Sequence, residues 1–325
     1  MDPTYLKEDE GGYKLDLEDN FGFAQFDLND AMTRPRLEHP CMTLIPGHGR
    51  FAYITETQRI AIVSPEFFTF AQELGGNVTS ICSALPGHLL ALAEVEGEGR
   101  LYLLNEEGDV LKQKDREEPF YPFPSQVQLL TSVSNELICF QDNEGVFLID
   151  LLNGAMFDFQ IPQSALVRFS LFTSESTLLL NWELDAESDW SKFECKSRGD
   201  ELIFEKTSLA WGRFLGRGEN SVITFDGNDT LVHPFNDAAE STIKHLGYIA
   251  ASKTDRLGVA TNEKYATILT PSHLHIYQRE FTGSWGKQWL KTLPPKQRVL
   301  ASLILSSHFF ILLPTGLISI HLKSQ

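Results

Sequence analysis

The chain contains Ile45-Pro46-Gly47-His48-Gly49-Arg50-Phe51-Ala52-Tyr53-Ile54, and 40 residues further on it contains Leu85-Pro86-Gly87-His88-Leu89-Leu90-Ala91-Leu92-Ala93-Glu94. In both stretches Pro-Gly predicts a tight turn, and the apolar residues that follow predict a β-strand. A motif that returns at a fixed spacing of this size is typical of repeat architectures. We therefore expect the fold to be built from units of roughly 40 residues.

Later segments keep the strand–turn–strand pattern but do not contain the Pro-Gly-His motif. Apolar strands are predicted at Glu136–Phe140, Thr177–Trp182 and Phe309–Leu313. Turns rich in Asp, Asn and Gly, such as Asp142–Gly145 and Asp226–Asp229, each precede a further strand, and these residue types suit hairpin turns. No segment shows a helical period over about 11 residues or more. The pattern therefore predicts an all-β fold with about four strands in each unit.

Seven units account for most of the 325 residues, although six or eight units also remain open. The expected units are 42–74, 78–114, 126–160, 165–206, 208–246, 248–293 and 298–325. The last unit has only three clear strands, which would leave an exposed sheet edge. A strand from the N-terminal segment 13–28 would fill that place. We therefore expect 1–325 to form a single β-propeller with seven four-stranded blades, its ring closed by the N-terminal strand.

With its Gly-His pairs at Gly47-His48 and Gly87-His88, the chain resembles the WD40-like β-propeller superfamily. The resemblance extends over nearly the whole chain as a pattern of strands and turns. The Trp-Asp dipeptide that ends typical WD40 units occurs in none of these units. The resemblance therefore implies a divergent propeller.

Composition limits the class of partner. The formal net charge of −17 would repel nucleic acid, whose binding depends on Lys and Arg, and it disfavours anionic membranes, so we expect neither. A partner with a basic surface is compatible with this charge. The start of the chain shows no secretory signal, and the four cysteines form no Cys-x-x-Cys pair, so we expect a cytoplasmic protein, with a nuclear location left open.

The first candidate site is the segment 114–124, in which three aromatic residues, Phe120, Tyr121 and Phe123, lie among three prolines. Prolines stiffen a segment and so reduce the entropy lost on docking, and exposed aromatic residues are frequent hot spots of protein interfaces. Interpreted this way, the segment is an insertion that contacts a partner. The alternative is that Phe120 and Phe123 fold back onto the edge of the blade.

The second candidate site is Glu183–Trp190, which contains Glu187, Asp189 and Trp190. Its four carboxylates and one indole could bind a partner with a basic surface. A charge run of this kind is also typical of the solvated tip of a β-hairpin. Both interpretations remain open at the level of sequence.

The sequence predicts no catalytic, cofactor-binding or metal site. His273 and His275 share one face of an expected strand, but a zinc site needs further ligands, and nothing in the sequence brings another histidine close. Gly-x-Ser-x-Gly, P-loop, Gly-x-Gly-x-x-Gly and His-Glu-x-x-His motifs are absent. Cys82 and Cys139 lie inside apolar runs and are expected to be buried thiols.

Two functions of different class are compatible with these features of the sequence. The first is a non-enzymatic protein–protein interaction platform, acting as a scaffold or adaptor subunit of a hetero-complex. The alternative is a propeller enzyme or small-molecule binder, with residues from several blades converging at one mouth of the central channel. A purely structural subunit is a third possibility. Fold by itself does not decide between them.

Overall fold

The computed structural model describes the backbone of most of the chain from Met42 onward, together with one short N-terminal strand. The described residues are 15–17, 42–45, 47–55, 57–84, 86–112, 117–132, 134, 136–174, 177–184, 187–198, 201–218, 221–226, 229–235, 241–243, 258–262, 264–269, 273–280, 282, 284–292, 301–313 and 316–322. Every regular element among them is a β-strand, which confirms the all-β prediction.

The chain forms two compact units, and the larger run of sequence, Arg36–Ala210, contains four sheets of four antiparallel strands each. In every sheet the strands follow one another in chain order. Sheet 1 comprises β2 (Met42–Ile45), β3 (Arg50–Ile54), β4 (Ile60–Ser64) and β5 (Phe67–Phe70). Sheet 2 comprises β6 (Asn77–Ser83), β7 (His88–Val95), β8 (Glu98–Asn105) and β9 (Phe120–Phe123). Sheet 3 comprises β10 (Gln128–Ser132), β11 (Leu137–Gln141), β12 (Val146–Asp150) and β13 (Met156–Asp158). Sheet 4 comprises β14 (Leu166–Ser174), β15 (Thr177–Leu184), β16 (Glu187–Arg198) and β17 (Glu201–Leu209).

The second unit, Met1–Pro35 with Trp211–Gln325, contains one eight-stranded sheet and one four-stranded sheet. The eight-stranded sheet comprises β18 (Arg213–Gly218), β19 (Ser221–Phe225), β20 (Thr230–Pro234), β21 (Ser241–Ile243), β22 (Gly258–Thr261), β23 (Tyr265–Leu269), β24 (His273–Arg279) and β25 (Trp285–Thr292). The terminal sheet comprises β26 (Ala301–Leu305), β27 (His308–Leu313), β28 (Gly316–Leu322) and the N-terminal β1 (Leu15–Leu17).

The expectation of seven separate blades is wrong, because the described strands form six hydrogen-bonded sheets. Two expected units, 208–246 and 248–293, are joined into the eight-stranded sheet by parallel pairing of β18 with β22, in which Gly218 faces Thr261. Gly218 makes this close approach possible, since a Cβ at that position would collide with the carbonyl of Thr261. Two first strands therefore become hydrogen-bonded neighbours where two separate sheets were expected.

The last sheet gains its fourth strand from the N-terminal segment. β1 pairs antiparallel with β28, and Leu15 lies opposite Leu322 while Leu17 lies opposite Ile320. This pairing covers an edge that the last three strands would otherwise leave open. Closure of a complete ring by this strand, and the assignment of residues 1–325 to one domain, stay predictions.

The sheets repeat a backbone irregularity as well as a strand order. The first strands of sheets 2, 3 and 4 and of the eight-stranded sheet each carry a register shift at the corresponding position: Val78/Ser80, Leu129/Thr131, Val167/Phe169 and Phe214/Gly216. A bulge of this type adds one unpaired residue and increases the local twist. The four sheets therefore share a structural unit that is hardly visible in their residue types.

The apolar core of the Arg36–Ala210 unit lies between neighbouring sheets. One cluster joins sheets 2 and 3 through residues such as Leu92, Tyr121 and Phe140, and a second joins sheets 3 and 4 through residues such as Leu148 and Phe193. Cys82 and Cys139 are free, fully buried thiols, which confirms their expected place in the core. Burial raises the pKa of both thiols well above the ordinary range, so both stay protonated.

Gly47 and Gly87 of the two repeat motifs both lie in turns, as the sequence predicts, and the two turns are neighbours. Gly47 and Gly87 adopt positive φ angles of 84° and 78°, which only glycine adopts without strain. The turns also pack together, because a Cβ added to Gly87 would lie 2.8 Å from Nε2 of His48. His48 Nδ1 in turn lies 3.6 Å from Oε1 of Glu106, which follows β8. The glycines therefore serve both the turn and the contact between sheets 1 and 2.

Candidate functional site

Residues Phe120, Tyr121 and Phe123 form the outer strand of sheet 2 and are not part of an inserted loop. β9 pairs antiparallel with β8, and Tyr121 lies opposite Leu101 while Phe123 lies opposite Gly99. Tyr121 and Phe123 are only 9% and 7% exposed. The expectation that these aromatic residues stand free for a partner is therefore wrong for Tyr121 and Phe123, whereas Phe120 is partly exposed.

Tyr121 and Phe123 are buried because buried and exposed residues alternate along this segment, as they do in a strand with one face on the core. Tyr121 and Phe123 share one face, which packs on the cluster between sheets 2 and 3, and the Phe123 ring meets Phe140 edge-on at 5.3 Å. Pro122 between them is exposed, and proline is tolerated on an edge strand because no outer neighbour needs its missing N–H. Phe120 stacks under the Arg100 guanidinium at 4.7 Å. Tyr121 and Phe123 therefore pack onto the blade, as the alternative interpretation expects for Phe123, and contact of Phe120 with a partner stays a prediction.

The second candidate segment, Glu183–Trp190, spans the end of the β15–β16 hairpin. Glu183 lies opposite Ser188, and Arg168 Nε donates a 2.8 Å hydrogen bond to Glu183 Oε2. Trp190 is completely buried, with its ring centroid 5.7 Å from that of Phe169, so its indole is not exposed to a partner in this structure. Asp189 is partly exposed, and the side chain of Glu187 lies outside the described residues.

An exposed apolar surface lies elsewhere, on the hairpin that joins β12 to β13. Leu152 is 76% exposed and Met156 is 62% exposed, and among the described residues these are the two most exposed large hydrophobic side chains. The next is Ile203, on the outer strand of sheet 4, at 36%. We call Leu152, Met156 and the turn between them the Leu152–Met156 surface.

The turn that carries this surface is held by its own side chains. Asp150 accepts hydrogen bonds from the Leu152 amide (2.9 Å) and from Asn153 Nδ2 (2.8 Å). The Ala155 amide donates to Asn153 Oδ1 (2.7 Å), and Gly154 takes a positive φ of 73°. Short polar side chains that bond their own backbone are a strong turn device. The turn is therefore well defined although its apolar side chains face solvent.

The base of the surface is continuous with the core. Met156 lies opposite Ile149 across β12 and β13. Ile149 and Leu151 pack on the cluster that contains Tyr121 and Phe123. The Leu151 amide also donates to the Glu136 carbonyl at 2.9 Å, which ties the turn to the start of β11. The exposed side chains therefore belong to a turn whose base packs on the core.

The stretch of sequence that contains this surface carries only negative charge. From Glu117 to Val167 the sequence contains no Lys, Arg or His, and it contains seven carboxylates: Glu117, Glu118, Glu136, Asp142, Glu144, Asp150 and Asp158. Within the described part of the chain none of these seven carboxylates takes part in an ion pair. Arg168, the next basic residue along the chain, is itself paired with Glu183.

A small cavity of about 160 Å³ lies between the β3–β4 turn and the segment after β5. Its floor is apolar, with Ile60, Leu74 and Val78, and its rim carries Arg59 and Glu73, which lie 3.7 Å apart. Pockets that enclose drug-sized ligands have volumes of about 300–1,000 Å³. This cavity is therefore too small for such a ligand.

Other chemistry-bearing residues do not converge in the described residues. His275 is buried within β24, and the described part of the chain contains no group of three or more His, Cys, Asp or Glu placed to hold a metal ion. No helix in that same part has the length and apolar character needed to cross a membrane.

Comparison with known proteins defines the fold class. No protein-family model and no curated protein sequence matches the chain. Among solved structures, a streptogramin B lyase aligns with a TM-score of 0.57 at 9% identity, over 96% of this chain and 98% of that one. The virginiamycin B lyase of Staphylococcus aureus aligns with a TM-score of 0.54 at 8% identity, over 88% of this chain and 96% of that one.

These alignments confirm that the chain has a β-propeller fold. At such low identity the likeness concerns the fold alone, and the lyase activity that those names state does not transfer to this chain.

Proposed function

We propose that this protein is a non-enzymatic protein–protein interaction platform, a scaffold or adaptor subunit of a hetero-complex, that engages its partner through the Leu152–Met156 surface. The observation that carries the proposal is the exposure of two large apolar side chains on one well-ordered turn. Single exposed apolar residues are common on proteins. Two on one hydrogen-bonded turn, with the turn base packed on the core, offer a partner more apolar surface than a single exposed residue does.

Burial of these two side chains can supply binding energy on the scale of an interface hot spot. Burying a large aliphatic side chain is worth about 1.5–3 kcal/mol relative to leaving it exposed. Leu152 and Met156 together can therefore contribute a few kcal/mol to a complex. The turn backbone is already satisfied by Asp150 and Asn153, so a partner need not order it.

The proposed contact surface differs from the two segments that the sequence suggested, while the proposed class of function is the same. Tyr121 and Phe123 support the surface from below, since they belong to the cluster on which Leu151 packs. Closure of the propeller by β1, a place in a hetero-complex and a cytoplasmic location belong to the same proposal. Deletion of Leu15–Leu17 with a measurement of stability tests closure by β1. Determination of the mass of the purified assembly tests the hetero-complex, and localisation of a tagged chain tests the cytoplasmic location.

The direct test is affinity purification of the tagged protein from its native cell with quantitative mass spectrometry. Leu152→Ser combined with Met156→Ser is expected to lower the yield of a stoichiometric partner at least tenfold. Ile203→Ser is the matched control, because it removes an exposed apolar side chain from the neighbouring sheet. Thermal unfolding of all variants checks that the fold is intact. A partner retained at full yield by the double variant would refute the proposed surface.

A further inference from the structure

We infer that the segment recognised by the Leu152–Met156 surface is an apolar anchor flanked by Lys or Arg residues in a partner protein. This inference rests on the proposed function and adds the chemistry of the partner. Its basis is the combination of two exposed apolar side chains with a surrounding stretch that carries only negative charge.

The nearest carboxylates are placed by the hairpin itself. Leu137 lies opposite Asp150 on β12, so Glu136, which precedes Leu137, is held beside the turn. Asp158 follows Met156 by two residues on the same strand, and side chains two apart on a strand share a face. Asp158 is exposed and Glu136 is partly exposed. Glu136 therefore lies next to the start of the turn, and Asp158 lies on the strand that follows the turn.

These carboxylates accept local hydrogen bonds and, among the described residues, take part in no ion pair. Glu136 Oε2 accepts a 3.1 Å hydrogen bond from Ser134, and Asp158 Oδ1 accepts one of 2.7 Å from the Gln160 amide. Both contacts orient the side chains without neutralising them. Complementary charge at the rim of an interface raises the association rate and rejects partners of the wrong sign.

The same charge disfavours other occupants. A second copy of the chain would bring two negative surfaces together, since the net charge is −17 and the stretch Glu117–Val167 has no basic residue. Like charges facing each other across an interface cost several kcal/mol. Nucleic acid is disfavoured for the same reason. A basic protein segment is the occupant that satisfies both the apolar and the electrostatic features.

The test uses three fluorescent peptides of about 12 residues that share a Leu-x-x-Leu anchor and carry Lys/Arg, Ser or Glu flanks. Fluorescence anisotropy with the full-length protein is expected to show the Lys/Arg peptide binding at least tenfold more tightly than the Glu peptide. The difference is expected to shrink as salt is raised, because exposed charges are screened. Leu152→Ser with Met156→Ser is expected to abolish binding of all three peptides.

Paired charge variants isolate the electrostatic part. Glu136→Gln with Asp158→Asn is expected to weaken binding of the Lys/Arg peptide roughly two- to thirtyfold, because each exposed charge pair contributes little by itself. The Ser peptide is expected to bind as before. Asp142→Asn with Glu144→Gln is the matched control, since it removes the same number of charges from the β11–β12 turn, where Asp142 also accepts backbone hydrogen bonds.

The outcomes separate this inference from the proposed function. Equal affinity for all three peptides, no binding of any peptide, or equal effects of the two charge variants would overturn the basic-partner inference. Loss of the natural partner on Leu152→Ser with Met156→Ser would still uphold the platform in each of those cases. A dimer in sedimentation that dissociates on the same double substitution would identify a second copy as the occupant and overturn the inference.

Discussion

Burial of His233 on β20 is expected to make the free energy of unfolding depend on pH. Its Nε2 lies 2.8 Å from Thr224 Oγ1, and its ring stacks on Trp211 with centroids 4.2 Å apart and planes inclined by 16°. The side chain is only 3% exposed, and burial lowers its pKa to about 4. The folded protein therefore holds this imidazole neutral at pH values where an unfolded chain would protonate it.

The sign and size of the effect follow from proton linkage. An unfolded histidine has a pKa of about 6.5, so between pH 6.5 and 4 the unfolded state binds a proton that the folded state does not. The stability that His233 contributes is complete above pH 6.5 and declines as the pH falls. The loss amounts to about 2 kcal/mol at pH 5 and about 3 kcal/mol once the pH is below 4.

Chemical denaturation at about pH 7.5, 6 and 5 measures this loss. The wild type contains nine histidines and many carboxylates, so its stability alone mixes several titrations. The informative quantity is the difference between wild type and His233→Gln, which is expected to shrink by about 2 kcal/mol from pH 7.5 to 5. Thr224→Val is the control, because it removes the hydrogen bond and leaves the imidazole in place. An NMR titration that gives His233 a pKa near 6.5 in the folded protein, or an unchanged difference between the two proteins, would refute the reasoning.

Three further outcomes are expected. Gly218→Ala is expected to lower the free energy of unfolding by about 1–3 kcal/mol in chemical denaturation, because the added methyl group overpacks the parallel pairing of β18 with β22. Gly145→Ala is the control, since a Cβ there meets only ordinary contacts at 3.6 Å. Phe123→Ala is expected to cost about 3–5 kcal/mol by leaving a cavity between sheets 2 and 3, and a loss below about 1 kcal/mol would contradict its buried placement. Cys82 and Cys139 are expected to resist maleimide labelling in the folded protein and to react after denaturation, as peptide mass spectrometry can check, since their thiols are buried and protonated.

The fold is accessible from sequence where backbone geometry demands particular residue types. Gly47 and Gly87 predict two turns, and both occupy positive φ angles. The Asp142–Gly145 turn is built as its composition predicts, with Asp142 accepting from the Glu144 and Gly145 amides. The parallel joint at Gly218 escapes prediction, because pairing between two first strands depends on how neighbouring units approach each other and leaves no local pattern.

The placement of Phe120–Phe123 differs from the sequence-based expectation for a physical reason. Proline and a charged run suggest a loop, but a four-residue edge strand tolerates Pro122 and needs only one partner strand. The informative signal is the alternation of Tyr121 and Phe123 on one face. Trp190 is a similar case, because it lies opposite Asn181 inside a long paired strand. Its charged neighbours in the sequence belong to the end of the hairpin, and they do not indicate that Trp190 is exposed.

Leu152 and Met156 give no signal in the sequence because an Asn-Gly turn between two strands is normally solvated and polar. The hydrogen bonds of this turn involve Asp150, Asn153 and backbone amides, and Leu152 contributes only its amide to them. A serine at position 152 would supply the same amide, so neither the turn nor the core requires a leucine there. Exposing a large aliphatic side chain brings no gain in stability and invites association. The apolar character of this turn is therefore not explained by folding, and the proposed contact with a partner would account for it.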